Sequence, residues 1–135
     1  MSVIGIDYGA RRIGIAVSSS GVLASPHSVV ANEGDIVARI AVLATELEAE
    51  SLIVGLARRA RTRDGEEKFE TFAEALRQKT CKPVILWDET LSTVEAAERL
   101  RSASSKRSRN PENIDMYAAA VILQSYLDAY SGRTS

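Results

Sequence analysis

The sequence is poor in two residue types that carry much of protein chemistry: it holds one cysteine, Cys81, and one histidine, His27. A lone cysteine excludes an intrachain disulfide and suits a reducing compartment. Without a CxxC neighbour or a nearby histidine, Cys81 reads as inert. A single histidine leaves a His-based metal site or catalytic triad one member long, and His27, beside Pro26, reads as a surface loop residue. No apolar run approaches the roughly 20 residues that span a bilayer. The opening MSVIGIDYG lacks the basic-then-apolar order of a secretion signal. Repeats and long low-complexity tracts are also missing. These absences lead us to expect a cytoplasmic protein with no membrane partner.

What the chain does hold is enough apolar content, 45% of 135 residues, for one proper core and so one domain over residues 1–135. The net charge of −1 hides an uneven distribution. Acids crowd 46–50 and 64–74, while arginine and lysine cluster at 58–63 and 99–109. Overall charge therefore does not argue against a polyanionic partner.

Hydrophobic periodicity predicts an α/β chain. Residues 3–7 and RIGIAVS read as two strands of a hairpin, and a third strand falls within VLASPHSVV, where Pro26 suits an edge or a bulge. Ile36, Ile40, Leu43 and Leu47 mark a helix with Asp35 as its N-cap. SLIVGL is a buried strand, Phe69, Phe72, Ala73 and Leu76 mark a second helix, and PVILW is another buried strand. Ser92 and Glu95 form a capping box for a helix to about Leu100. Asn110 and Pro111 then open a last helix, reaching about Tyr130. Hairpin first and right-handed crossovers afterwards give a mixed five-stranded sheet with helices packed on it.

Three places carry acids that this pattern does not require: Asp7 at the end of the first strand, the pair Asp88 and Glu89 after PVILW, and Asp115 early in the last helix. Each alone has an ordinary role as a turn, solvated or dipole-facing residue. Together they differ, because strands of an open α/β sheet that end on one side form its ligand crevice. Like charges gathered there repel unless a cation lies between them, and hard oxygen donors suit Mg²⁺ or Mn²⁺. Two such ions can activate water and stabilise the leaving oxygen of a phosphodiester. Alternation along a strand buried on both faces does not choose between Asp88 and Glu89.

The blocks GIDYGARRIGIAVS, LIVGL, FAEAL, PVILWDETLSTVEAAERL and IDMYAAAVILQSYLD resemble, in order and along nearly the whole chain, the YqgF/RuvX family of Holliday junction resolvases within the RNase H-like superfamily. The resemblance implies an RNase H-like fold and a metal-dependent acidic site, with Asp7, Glu89 and Asp115 as catalytic metal ligands. It also implies a substrate among branched DNA and the precursor of small-subunit ribosomal RNA. The chain departs from the common family pattern at Ser19, where members carry an acid, at Ala57, where they carry proline, and at Thr90, where they carry arginine. The last bears on phosphate positioning, since a guanidinium is the best bidentate partner for phosphate.

Two basic runs flank the acidic residues in sequence: Arg58, Arg59, Arg61 and Arg63 after LIVGL, and Lys106, Arg107 and Arg109 shortly before Asp115. An acidic centre that meets a polyanion needs surrounding cations, so these residues are candidates for the nucleic acid backbone. The segment 101–110, small and basic without an apolar anchor, is expected to order only on binding. Trp87 invites a base-stacking role, although a tryptophan ending a core strand more often packs. Gly5, Gly9 and Gly14 suit tight turning and close backbone approach better than phosphate binding. The leading function is a nuclease on structured nucleic acid, as a possible homodimer on a symmetric substrate. A nucleic-acid-binding module without chemistry is the alternative. The hairpin also resembles the phosphate loop of actin-like and sugar kinase ATPases, but those bind nucleotide between two such domains and this chain has length for one.

Overall fold

The β-branched run SVIGIDY forms strand β1 (Ser2–Tyr8), and RIGIAVS returns against it as β2 (Arg12–Ser18), the antiparallel hairpin expected from the sequence. Strand β3 (Ser25–Ala31) pairs with β2 and forms one edge of the sheet. Pro26 lies on that edge and beside the register shift opposite Ile15 and Ala16, where a missing N–H breaks no central ladder. His27 belongs to this strand rather than to a loop, and it is exposed. The computed structural model describes residues 2–56, 61–87 and 111–131.

Helix α1 (Ile36–Glu46) starts where Asp35 accepts a hydrogen bond from the Ala38 N–H at 3.1 Å. Strand β4 (Ala49–Leu56) runs parallel to β1 and begins at Ala49 rather than Ser51. Helix α2 (Arg63–Thr80) is capped by Thr62, whose Oγ1 accepts from the Gly65 N–H at 2.9 Å. Asp64 and Glu66 in its first turn and Arg77 and Lys79 in its last complement the helix dipole. Arg63 therefore opens a helix instead of continuing the loop after β4. Strand β5 (Val84–Trp87) pairs in parallel with β4 and forms the other edge, and α3 (Pro111–Ser131) ends the described chain. The helix expected over 92–100 and the cap at Asn110 lie outside the described residues.

The strand order is β3-β2-β1-β4-β5, a mixed five-stranded sheet as the sequence predicts. Side chains alternate across it, so each face builds its own core. Ile4, Ile6, Ile13, Ile15, Leu52 and Val54 face α1 and α2 and are fully buried, each such side chain contributing about 2 kcal/mol. Val3, Ala16 and Ile53 face Ala119, Ile122, Leu123 and Leu127 of α3. The buried Gln124 ties α3 to the β2–β3 connection: its amide donates to the Val22 carbonyl at 2.9 Å and to Asp128 Oδ1 at 3.0 Å, and accepts from the Ala24 N–H at 2.8 Å. Trp87 donates from Nε1 to Ser125 Oγ at 3.2 Å and packs edge-on against Tyr126, with ring centres 5.4 Å apart. Burial and the neighbouring Tyr130 and Glu50 push the Tyr126 hydroxyl pKa up.

Candidate active site

Strands β1, β4 and β5 run in the same direction, so Tyr8, Leu56 and Trp87 end on one side of the molecule. Asp7 sits there on β1, only 6% exposed. It is paired with Gly14 across β2 and with Gly55 across β4. Cross-strand partners share a face, so this carboxylate projects with two glycines beside it, and α3 uses the space they leave. A Cβ on Gly14 would fall 2.0 Å from the Asp115 carbonyl oxygen, one on Gly55 2.7 Å from Ile122 Cδ1, and one on Gly5 2.6 Å from Leu123 Cβ. The helix thus lies on bare backbone across β2, β1 and β4. Close approach, not turning, is the role of Gly5 and Gly14, whose φ angles are not positive. Gly55 has the same role, which the sequence alone does not reveal.

This seat determines where Asp115 goes. Its backbone rests on Gly14, the register partner of Asp7, so two carboxyl residues separated by more than a hundred positions meet at one end of the sheet. The N-terminus of α3 is at that end too, where the positive end of the helix dipole favours negative charge. Asp115 also faces a cation: Arg12 Nε lies 2.7 Å from Oδ2, with side chains 48% and 26% exposed respectively. The N–H is not aligned for a hydrogen bond to that oxygen, so the contact is an ion pair. Nothing in the sequence singles out Arg12, although period-two alternation from Gly14 puts it on this face of β2.

A family model described as RuvX, Holliday junction resolvase, matches residues 1–129. The chain belongs to the RuvX family. A Mycobacterium tuberculosis (strain H37Rv) protein named "Putative pre-16S rRNA nuclease" is 44% identical over 131 residues, covering 93% of this chain and 77% of the relative. A Lachnospira eligens protein of the same name is 34% identical over 137 residues, covering 96% and 98%. Among solved structures, Thermus thermophilus RuvC in complex with a Holliday junction substrate superposes with a TM-score of 0.71 at 20% identity, over 98% of this chain and 96% of that one. The Fowlpox virus resolvase bound to junction DNA gives 0.62 at 11% identity, over 96% and 99%. These two likenesses bear on the fold, which is the RNase H-like one expected from the sequence.

The other residues singled out in this RuvX-family chain are distributed as follows. Asp88 and Glu89 follow β5 directly and lie outside the described residues, as do Arg58, Arg59, Lys106, Arg107 and Arg109. Among the described residues no three acidic, histidine or cysteine side chains converge. Arg61 and Arg63 are exposed just beyond β4, and since β4 is parallel to β1 this segment leaves the sheet at the Asp7 end. Arg61 lines a cleft of about 480 Å³ together with Phe69, Glu70 and Trp87. Trp87 packs against α3, as the plainer sequence reading has it. Cys81 is exposed and caps α2 in a left-handed conformation, φ 57°. No helix of the described residues is long and apolar enough to cross a membrane. The donors available at the sheet end, carboxylate oxygens from Asp7 and Asp115, are of the hard type that fits Mg²⁺ or Mn²⁺.

Proposed function

We propose that this chain is a divalent-metal-dependent nuclease that cleaves phosphodiester bonds in structured nucleic acid, with Asp7, Glu89 and Asp115 as the metal-binding acids. The observation that carries the reading is the meeting of Asp7 and Asp115, one buried at the end of a central strand and the other seated on that strand's glycine neighbour. Burying a carboxylate costs several kcal/mol unless charge or donors compensate it, and acids so placed at a strand end mark a candidate functional site. Mg²⁺ or Mn²⁺ bound between these acids would supply an activated water and stabilise the leaving oxygen. The chain's own contribution is placement: β1 carries Asp7, and α3, packed closely on Gly5, Gly14 and Gly55, carries Asp115 to it. Four-way DNA junctions and the precursor of small-subunit ribosomal RNA are the substrates that the family and its relatives' names support. On a junction, symmetric cutting calls for two copies of the chain, and the cytoplasm is where either substrate would be met.

The test is a cleavage assay of the purified chain on a four-way junction, duplex DNA, single strands and a ribosomal RNA precursor. Cleavage of a structured substrate that requires Mg²⁺ or Mn²⁺ and stops with chelator is the expected result. Binding without cleavage at millimolar metal would instead favour the module without chemistry.

The basic residues serve the backbone of that substrate in this proposal. Lys106, Arg107 and Arg109 precede Asp115 by a few positions, so phosphate contact there would draw the strand towards the acids. Changing all three to alanine is expected to weaken binding of every sequence about equally. It should also flatten the log–log salt dependence by roughly one unit for each phosphate that the variant no longer neutralises. Wild-type affinity with an unchanged salt slope would leave Arg58, Arg59, Arg61 and Arg63 to track the backbone.

A further inference from the structure

We propose that Arg12 is the resting counter-cation of the acidic centre, a positioning residue that holds Asp115 until a divalent ion replaces it. The inference rests on the metal-dependent reading given above and adds a residue to it. Arg12 opens β2 on the face that carries Gly14, and its guanidinium contacts the Asp115 carboxylate at 2.7 Å. That carboxylate is three-quarters covered, and the buried Asp7 is the register partner of the glycine beneath it. Asp7 and Asp115 thus bring two acids to one end of the sheet, and ionised carboxylates gathered together repel. One fixed positive charge beside them lowers that repulsion and keeps Asp115 in a single orientation.

The same charge opposes a second cation. A divalent ion that takes the Asp115 oxygens must either displace the guanidinium or bind beside it, and the Coulomb cost appears in the metal affinity. Arg12 can leave without being buried elsewhere, because about half of its side chain already faces water. Metal binding is therefore an exchange of one cation for another at Asp115. The pair also keeps the acids ordered while the metal is absent.

The experiment follows melting temperature during Mn²⁺ titration of the full chain, with no nucleic acid present, for wild type, Arg12→Ala, Arg12→Gln and Arg12→Lys. Ligand linkage converts the rise in melting temperature into an affinity. Arg12→Ala and Arg12→Gln should each reach half-saturation at about one-tenth of the wild-type Mn²⁺ concentration. Arg12→Lys, which keeps the charge, should stay near wild type. The gap between charged and neutral variants should shrink at high salt, because the guanidinium is about half exposed. A packing role for Arg12 would move none of these affinities in that direction. Unchanged or weaker Mn²⁺ binding in both neutral variants, beside a normal wild-type response, overturns the proposal and leaves the metal-dependent reading intact. A wild-type protein whose melting temperature ignores Mn²⁺ overturns both.

Discussion

Asp7→Asn is expected to lower divalent-dependent cleavage by about a thousandfold or more while the protein stays folded. The amide has the shape of the carboxylate, so the strand end, the glycines beside it and the α3 seat are undisturbed. What it removes is the charge with which Asp7 would hold a metal. The wild-type carboxylate is 6% exposed, so the substitution acts inside the packed strand end and not on the surface. The rise in melting temperature on adding Mn²⁺ should be lost. Activity close to wild type would remove Asp7 from the site. Parallel variants address the pair after β5, with Glu89→Gln expected to be inactive and Asp88→Asn active. The reverse outcome would exchange their roles.

Much of this arrangement is legible in the sequence because it is local. Asp7 stands out as a charge closing a β-branched run, Asp35 as a cap before a helical stripe, and Pro26 as a residue that a central strand would reject. In each case the residue and its reason lie within a few positions of each other. The hairpin and the parallel return of LIVGL then follow from chain length and handedness, which brings Arg61 to the Asp7 end.

What the sequence conceals depends on contacts between distant segments. Gly55 reads as an ordinary residue of a buried strand until Ile122, far along the chain, occupies the space above it. Arg12 reads as no more than the first residue of the second strand until α3 delivers Asp115 to it. Arg63 reads as loop because the apolar stripe of α2 begins only at Phe69. Its true start is set by a polar cap at Thr62, and polar caps leave no hydrophobic period. Glu89 is preferred to Asp88 by family resemblance, and it lies outside the described residues.

The glycine seat gives the second large effect. Gly14→Ala puts a methyl group 2.0 Å from the Asp115 carbonyl oxygen, 2.4 Å from its carbonyl carbon and 3.0 Å from the Met116 nitrogen. All three are backbone atoms and cannot rotate away, so the start of α3 must lift off β2. Overpacking of this kind costs about 3 kcal/mol, which for a chain of this size lowers the melting temperature by roughly 10 °C. The molecules that remain folded should also lose Asp115 from the acidic centre, and with it both cleavage and tight Mn²⁺ binding. Two other glycines separate that effect from a general sensitivity to alanine. At Gly55 the added methyl meets the tip of the Ile122 side chain at 2.7 Å, which can change rotamer, so Gly55→Ala should cost about 1 kcal/mol and keep most of the activity. At Gly21 nothing lies within 4 Å and only the positive φ of 78° resists a side chain, so Gly21→Ala should cost about 1 kcal/mol and leave cleavage and Mn²⁺ binding unchanged. Melting curves and Mn²⁺ titrations of the three variants decide the matter. If Gly14→Ala behaves like Gly21→Ala, α3 does not rest on β2 in solution, and the meeting of Asp115 with Asp7 loses its structural cause.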